Sequence, residues 1–173
     1  IIIVHLYGMP AKMDAIVAIA KKNNIILIED AAEALGSSFK KKKCGTFGDI
    51  GTLSFYPAHH MTMGEGGAVF MNDPELKAIA ESYRDWGRDC YCPPGCDNTC
   101  GCRFEQKHGD LPYGYDHKYV YSHLGYNLKI TDMQAACGLG QLEKIENFVE
   151  KRKRNFAYLH NKLSPYTKYI ILP

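Results

Sequence analysis

The chain has 173 residues, 46% of them apolar, and a formal net charge of +2. This length suffices for one sizeable core, and the near-neutral charge gives no indication of nucleic-acid or membrane binding. Two short basic runs, residues 40–43 and 151–154, are typical of a solvated turn and a solvated helix end. The apolar opening is too short for an export signal or a membrane span, so we expect a cytoplasmic protein. Because the chain lacks an initiator Met and begins inside a predicted strand, we also expect a piece of a longer polypeptide.

A strand–helix–strand unit is predicted at the start of the chain. Ile1–Leu6 is a continuous apolar run, which favours a strand buried on both faces. Apolar residues then recur at helical spacing over residues 11–22, and Ile25–Ile28 is the next apolar run. This order predicts the βαβ crossover of an α/β fold with a mostly parallel sheet flanked by helices. Ligands of such sheets bind at the carboxyl ends of the strands, where Asp30 lies.

The best candidate for an active-site segment follows the next predicted strand, Ile50–Phe55. Two adjacent histidines, His59 and His60, precede a glycine-rich turn and a further apolar run, Ala68–Met71. Gly66-Gly67 suits either positive backbone dihedrals or a group packed close to the chain. The pattern is typical of an active-site loop presented by a sheet, and a hairpin with a glycine-rich turn is the structural alternative.

Five of the seven cysteines lie between Cys90 and Cys102, within an aperiodic segment at residues 89–118. An irregular segment of this length in a compact enzyme is usually a functional loop. Without an export signal, metal or cluster ligation is a better interpretation than disulfide bonding. From the residues alone zinc is the first candidate, because tetrahedral sulfur sites are the commonest.

Helices are predicted on either side of the cysteine segment. Residues 74–84 form a helix with Ile79 inward, and a capping-box spacing at Thr131 opens a long amphipathic helix with Cys137 in its core face. The segment Tyr166–Pro173 is predicted to be a strand. We therefore assign residues 1–130 to part of a large α/β domain that includes the cysteine-rich loop. Residues 131–173 form the long helix and the start of a small C-terminal domain.

The stretch Ser54–Gly67 resembles the active-site loop of the sugar aminotransferases that use pyridoxal phosphate. That family reads Ser-Phe-x3-Lys-x4-Gly-Glu-Gly-Gly, and its Schiff-base lysine corresponds to His59. An imidazole has no primary amine and cannot form the imine. The resemblance therefore implies a fold-type I aminotransferase-like fold, a non-covalently held pyridoxamine 5'-phosphate, and the branch of nucleotide-sugar 3-dehydrases that make 3,6-dideoxysugars with histidine as the base.

The resemblance also implies roles for five residues in cofactor binding. Asp30 would hold the protonated ring nitrogen, Ser54 would donate to the phosphate, and Glu33 stands where the family commonly has a glutamine near the cofactor. Asn127 and Lys129 belong to a Gly-Tyr-Asn motif that reaches the cofactor phosphate of the neighbouring subunit. A homodimer with shared sites follows from this resemblance.

One member class, the CDP-4-keto-6-deoxy-D-glucose 3-dehydrases of lipopolysaccharide biosynthesis, also carries a 2Fe-2S cluster. Its ligand spacing Cys-x-Cys-x7-Cys is matched by Cys90, Cys92 and Cys100. This resemblance implies a nucleotide 4-keto-6-deoxyhexose as substrate and a separate flavin/iron–sulfur reductase as electron donor. The alternatives are a cluster-free GDP-sugar 3-dehydrase, a sugar aminotransferase, which the missing lysine disfavours, and a non-catalytic zinc-binding relative.

The fourth cluster ligand departs from the family pattern. The clustered enzymes carry their first cysteine at the position of Ala32 in this sequence. Either another thiol, Cys44, Cys96 or Cys102, replaces it, or the cluster is altered or absent.

Overall fold

The computed structural model describes residues 1–93 and 95–173 and contains a mostly parallel sheet with helices. Among the described residues, four strands form this sheet in the order β1-β2-β5-β6. The β1–β2 and β2–β5 pairs are parallel and the β5–β6 pair is antiparallel, as expected for an α/β fold. The remaining two strands pair as a separate hairpin. The strands are β1 (Ile2–Val4), β2 (Ile28–Asp30), β3 (Ser38–Phe39), β4 (Lys42–Lys43), β5 (Ile50–Ser54) and β6 (Gly67–Met71).

In the part of the chain that the structure describes, four α-helices accompany the strands: α1 (Met13–Lys22), α2 (Pro74–Arg84), α3 (Asp132–Leu142) and α4 (Ile145–Leu163). The predicted bounds of α2 are confirmed, and the Asp73 carboxylate caps it by accepting from Glu75 N and Leu76 N. The capping box of α3, formed by Thr131 and Gln134, is also confirmed. Short 3-10 turns occupy Leu6–Gly8, His117–Tyr119 and Ser164–Tyr166. No helix in the described ranges combines the length and the apolar character needed to cross a membrane.

Two strand predictions need correction. The second strand begins at Ile28, not Ile25, because Leu27 N donates to the Asp49 side chain (2.8 Å) and is held there outside the ladder. Asp30 nevertheless ends this strand, as predicted. The first strand is not buried on both faces, since Ile2 is 71% and Val4 48% exposed. Helix α1 covers only the opposite face, where Met13, Ala20 and Leu27 form the core with Ile3.

The predictions for the C-terminal part were wrong in three respects. The long helix divides at residues 143–144 into α3 and α4. Cys137 is exposed, because Gly138 is the buried residue of α3 and adjacent helical positions point in different directions. The segment Tyr166–Pro173 is not a strand, since local bonds from Tyr169 N and Ile170 N to Tyr166 O form a turn.

In α2, the prediction that Ile79 faces inward was also wrong. Ile79 is 52% exposed. The buried residue of this helix is Ser82, whose hydroxyl donates to Arg88 O at 2.7 Å. The inward face of α2 is therefore centred on a polar contact with the segment that follows the helix.

A buried carboxylate links the parallel strands to the loop before β5. The side chains of His5 and Glu29 are fully buried, and His5 Nε2 lies 3.0 Å from Glu29 Oε2. Because Ala11 N donates to His5 Nδ1 (3.2 Å), the imidazole proton is on Nε2 and points at the carboxylate. Glu29 also accepts from Gly45 N (2.8 Å), Phe47 N and Gly48 N (2.6 Å). Four donors thus compensate the burial of one charge.

Replacement of this carboxylate is expected to destabilise the protein. In the full-length protein, Glu29→Gln should lower the free energy of unfolding by about 2–4 kcal/mol, because an amide cannot accept from all four buried donors. Glu81→Gln, which removes an exposed 3.9 Å pair with Lys77, should cost below about 0.5 kcal/mol. Denaturant unfolding checks both variants, and equal stability losses would contradict the assignment of Glu29 as a structural centre.

Candidate active site and cysteine centre

The predicted active-site loop connects the ends of β5 and β6. Phe55 N donates to Gly66 O (2.8 Å), and Met63 N donates to Phe55 O (3.0 Å), so both ends of the loop are tied together. At Gly67 a Cβ would lie 2.9 Å from Leu53 O, and its φ is not positive. Gly67 thus serves the close packing of β5 and β6, one of the two alternatives open from the sequence.

His59 occupies the end of a tight turn in this loop. Its backbone N–H donates to Tyr56 O (3.0 Å), and the Tyr56 and His59 rings meet edge to face with centroids 5.8 Å apart. The Nδ1 atoms of His59 and His60 are buried and have no hydrogen-bond partner among the described residues. Both residues are partly exposed and line a cavity, so a bound molecule can reach their rings.

Helices α3 and α4 hold the loop from the other side. Gln134 Nε2 donates to Glu65 O (3.0 Å), and Arg152 donates to His60 O (3.0 Å). Gly138 contacts Met63 so closely that a Cβ would meet Met63 Cγ at 2.9 Å. The loop is fixed by backbone acceptors and one close packing contact, which favours a defined position for His59.

An open cavity of about 260 Å³ lies beside the two histidines. It is lined by Tyr7, Glu33, Ala58, His59, His60 and Arg152. Glu33 Oε2 accepts from Tyr7 N at 2.9 Å. The structure thus brings together His59 and Glu33, which were predicted to share a site. A second cavity, of about 380 Å³, lies beside the end of α1, and none of the predicted site residues lines it.

Arg152 is a site residue that the sequence analysis missed. We assigned residues 151–154 to a solvated helix end, whereas they lie in the middle of α4 and Arg152 reaches the loop. A basic run gives no signal about which of its members faces a distant loop. Helical periodicity was the one signal available in the sequence, and it identifies which apolar residues face the core but not which basic residue contacts a loop.

Asp30 and Ser54 lie at adjacent strand ends but are not among the residues that line the cavity. Asp30 Oδ1 accepts from Ala32 N (3.1 Å) and lies 3.5 Å from Thr52 Oγ1. Ser54 Oγ accepts from Tyr56 N at 3.2 Å, which leaves its hydroxyl hydrogen available for a further acceptor. Their predicted cofactor contacts stay predictions.

Asn127 and Lys129 lie against the end of α2. Asn127 forms an isolated antiparallel bridge with Asp85, Leu128 N donates to Arg84 O, and Lys129 Nζ is 3.4 Å from Asp85 Oδ1. The cavity at His59 is lined by neither residue. Their predicted contact with the cofactor phosphate of a neighbouring subunit stays a prediction.

The predicted ligands Cys90 and Cys92 come together with a residue that was not predicted. Their sulfur atoms and a ring nitrogen of His117 all lie within 4.8 Å of one another. Cys100 Sγ is 3.5 Å from His117 Nε2. A hydrogen bond from Thr99, the backbone at Cys100 and the neighbouring thiols lower the pKa of Cys92 to about 7. A thiolate is the form of cysteine that binds metals, and Cys92 is the member whose surroundings favour it, since the pKa values of Cys90 and Cys100 are raised, that of Cys90 chiefly by burial. This donor set, three sulfurs and an imidazole, fits zinc or an iron–sulfur cluster.

The three thiols considered as replacements for the missing cysteine differ in their surroundings. Cys44 is buried in a core cluster with Ala31 and Ala34, and burial followed by the Glu29 charge raises its pKa. It is not in the group formed by Cys90, Cys92 and His117, and its role as a ligand stays a prediction. Cys96 is exposed. Cys102 is half-buried, and its sulfur accepts from Gln106 Nε2 at 3.0 Å.

The contact between Arg152 and the loop predicts the titration of His60. Burial first, and then the charges of Arg152 and His59, lower the pKa of His60 below its ordinary value. Arg152→Gln should therefore raise this pKa while leaving it below the ordinary value, because the larger cause is burial. NMR titration of labelled histidines checks this, with Lys151→Gln as control. An unchanged pKa of His60 in Arg152→Gln would contradict the contact.

Comparisons with known proteins agree with this fold and loop. The chain is 64% identical over 173 residues to the lipopolysaccharide biosynthesis protein RfbH of Salmonella typhimurium, covering 100% of this chain and 40% of the relative. It is 54% identical over 164 residues to a dTDP-4-dehydro-2,6-dideoxy-D-glucose 3-dehydratase of Saccharopolyspora spinosa, covering 95% and 36%. The chain thus spans about 40% or less of the length of these relatives.

A solved structure also has a fold similar to that of this chain. The E. coli GDP-4-keto-6-deoxy-D-mannose-3-dehydratase with bound hydrated PLP matches with a TM-score of 0.75 and 31% identity, over 94% of this chain and 40% of that chain. The model of the DegT/DnrJ/EryC1/StrS aminotransferase family matches residues 1–172. This match covers nearly every residue, including the loop with His59 and the cysteine segment. The chain therefore belongs to the DegT/DnrJ/EryC1/StrS aminotransferase family.

Proposed function

We propose that this chain is part of a pyridoxamine-phosphate-dependent 3-dehydratase that removes the C3 hydroxyl of a nucleotide 4-keto-6-deoxyhexose. The observation that carries the proposal is His59, which stands at the lysine position of the family loop and lines a cavity with Glu33. A histidine there cannot anchor the cofactor covalently, and it can act as a base. The names of the two relatives, a dideoxysugar 3-dehydratase and a lipopolysaccharide biosynthesis protein, support this chemistry.

The residues around the loop suit pyridoxamine 5'-phosphate. When bound, this cofactor supplies a primary amine that condenses with the 4-keto group and a ring that accepts an electron pair. His59 and Glu33 line the same cavity, where a polar group of a ligand can reach both. Asp30 would hold a proton on the ring nitrogen, and the Ser54 hydroxyl would donate to the phosphate.

His59 is the proposed catalytic base. Its imidazole would accept the proton from the C4′ carbon of the bound cofactor as the C3 hydroxyl departs. The ordinary pKa of histidine lies near neutral pH, so a large basic fraction exists at working pH. The turn at Tyr56 and the contacts of α3 and α4 would keep the imidazole in position, which is a requirement for efficient proton transfer.

Deoxygenation at C3 needs two electrons, and we propose that the cysteine centre carries them. In the overall change the C3–O bond breaks, the oxygen leaves as water, and two electrons with two protons from solvent complete the reaction. A 2Fe-2S cluster bound by Cys90, Cys92 and Cys100 would pass the electrons singly from a separate flavin/iron–sulfur reductase. The gathering of these thiols around His117 supports a metal centre.

The proposed substrate is of the CDP-4-keto-6-deoxyglucose type, and the product leads toward a 3,6-dideoxysugar. The similarity to RfbH, with its name in lipopolysaccharide biosynthesis, supports the sugar class. The cytoplasmic location expected from the sequence stays a prediction.

A homodimer is the proposed assembly, with Asn127 and Lys129 directed to the cofactor phosphate of the partner subunit. A run of apolar side chains on both sides of these residues supports an interface: Leu124 is 94%, Leu128 65% and Met133 78% exposed. Burial of such a surface stabilises association. Sedimentation of the full-length protein as a monomer would contradict this assembly.

A zinc-binding, non-catalytic relative is the second candidate. The mixed set of sulfurs and one imidazole is also a common structural zinc site, which favours this alternative over a sugar aminotransferase. An aminotransferase is disfavoured because His59 replaces the lysine. A cluster-free GDP-sugar 3-dehydratase would share the role of His59 and lack the metal.

Removal of the proposed base tests the catalytic role. In the full-length protein, His59→Asn should reduce C3 dehydration by about 10²–10⁴-fold, because an amide cannot accept the proton. The circular dichroism spectrum and the retention of pyridoxamine phosphate should not change. His160→Asn, on α4, is the control and should keep full activity. Full dehydration activity in His59→Asn would overturn the role.

Metal analysis tests the proposed electron carrier. Full-length protein purified without oxygen should contain two irons and two acid-labile sulfides per chain with visible iron–sulfur absorption. Cys92→Ser should lose most of this iron and keep the pyridoxamine absorption. Stoichiometric zinc and colourless protein would favour the non-catalytic relative. No metal at all, with cofactor bound, would favour the cluster-free dehydratase.

A further inference from the structure

We propose that His117 is the fourth protein ligand of the cysteine centre. It would take the place of the cysteine that the clustered enzymes carry at the position of Ala32. The centre would then have three thiolates and one imidazole. This inference rests on the metal centre proposed above and specifies its ligands. It concerns a residue that lies 17 positions beyond Cys100 and matches no spacing motif.

The surroundings of the His117 ring are those of a metal ligand. The residue is only 3% exposed, and one ring nitrogen lies with the Cys90 and Cys92 sulfurs inside a 4.8 Å group. Nε2 is 3.5 Å from Cys100 Sγ, and Nδ1 is buried with no hydrogen-bond partner among the described residues. A buried histidine is usually bonded through at least one nitrogen to an oxygen or nitrogen atom. Here the partner is a thiol, and a metal shared with the cysteines would satisfy one of the two ring nitrogens.

The backbone of the loop brings His117 to the cysteines. Asp89 N donates to Val120 O (3.0 Å), and Arg88 and Tyr121 form an antiparallel bridge. Cys90 directly follows the first of these paired segments, and His117 precedes the second. Two distant parts of the sequence therefore meet through backbone contacts.

An ion pair next to His117 closes the loop. Arg103 donates to both carboxylate oxygens of Asp116, at 3.0 and 2.7 Å, and the two side chains are 19% and 18% exposed. Asp116 also accepts from Lys118 N (3.1 Å) and so caps the 3-10 turn that carries His117. A bidentate arginine–carboxylate pair fixes orientation as well as distance. Arg103 lies three residues after Cys100, so the pair holds both ligand segments together.

The other thiols suit the fourth position less well. Cys44 is part of a buried apolar cluster, and Cys96 is exposed and not in the group of possible ligands. Cys102 is the strongest competitor, but its sulfur accepts from Gln106 Nε2 at 3.0 Å, whereas a ring nitrogen of His117 lies with the Cys90 and Cys92 sulfurs. A neutral imidazole in place of a thiolate would leave the cluster with one negative charge fewer. Its reduction potential should therefore be higher than that of the same cluster with four thiolates.

Nitrogen coupling in the reduced cluster tests the assignment directly. Full-length protein is prepared without oxygen, reduced with dithionite, and studied by pulsed EPR with unlabelled and nitrogen-15 histidine. The variants are His117→Ala, His117→Cys, Cys102→Ser and, as the matched control in the same loop, His108→Ala. Iron, zinc and sulfide are measured on each sample.

We expect histidine nitrogen coupling in the wild type and in His108→Ala, and its loss in His117→Ala. His117→Cys should keep two irons, lose the coupling and have a lower reduction potential. A wild-type cluster without nitrogen coupling, or one that is lost in Cys102→Ser and kept unchanged in His117→Ala, would overturn the proposal.

The same samples separate this proposal from the proposed function. If zinc replaces iron, the electron-carrying role fails, and cobalt substitution then tests the ligand alone. Cobalt absorption bands that shift in His117→Ala but not in His108→Ala would support the ligand assignment. Bands that are identical in both variants would overturn it.

Discussion

The buried carboxylate of Glu29 is the constraint on which the sheet and its loops depend. The fully buried, ionised side chain of Glu29 is bonded to His5, which follows β1, and to three backbone N–H groups of the loop before β5. A buried charge is tolerated only when its bonds are made, so these segments must come together for the chain to fold. The next residue, Asp30, is thereby fixed at the carboxyl end of β2, and β5 is started in register beside it.

Two chemical centres then arise by different means. The His59 loop is the connection between two paired strands, and it is fixed through its carbonyls by side chains of α3 and α4. The cysteine centre lies in a long irregular segment, which is ordered by two backbone pairs and the Arg103–Asp116 ion pair. In the proposed reaction the first centre moves a proton and the second supplies electrons. Each centre is held by a few polar contacts, so single substitutions can separate their roles.

Much of the fold and part of the site could be predicted from the sequence. Apolar runs and helical spacing located the four strands of the main sheet and α2, and the family resemblance placed both His59 and Glu33 near the cofactor, where they line one cavity. Periodicity failed for Cys137, because a glycine contact with Met63 decides which face of α3 is buried. Arg152 and His117 could not be predicted, since their contacts join segments far apart in sequence and neither residue belongs to a spaced motif. Such contacts depend on side-chain packing and not on local patterns.

The fate of the C3 oxygen tests the central claim most directly. Full-length protein with pyridoxamine phosphate would be given a nucleotide 4-keto-6-deoxyhexose that carries oxygen-18 in its C3 hydroxyl, and mass spectrometry would follow the label. Our account predicts that the label leaves the sugar and appears in water. A label that stays in the sugar while an amino group appears at C4 would contradict it and identify an aminotransferase.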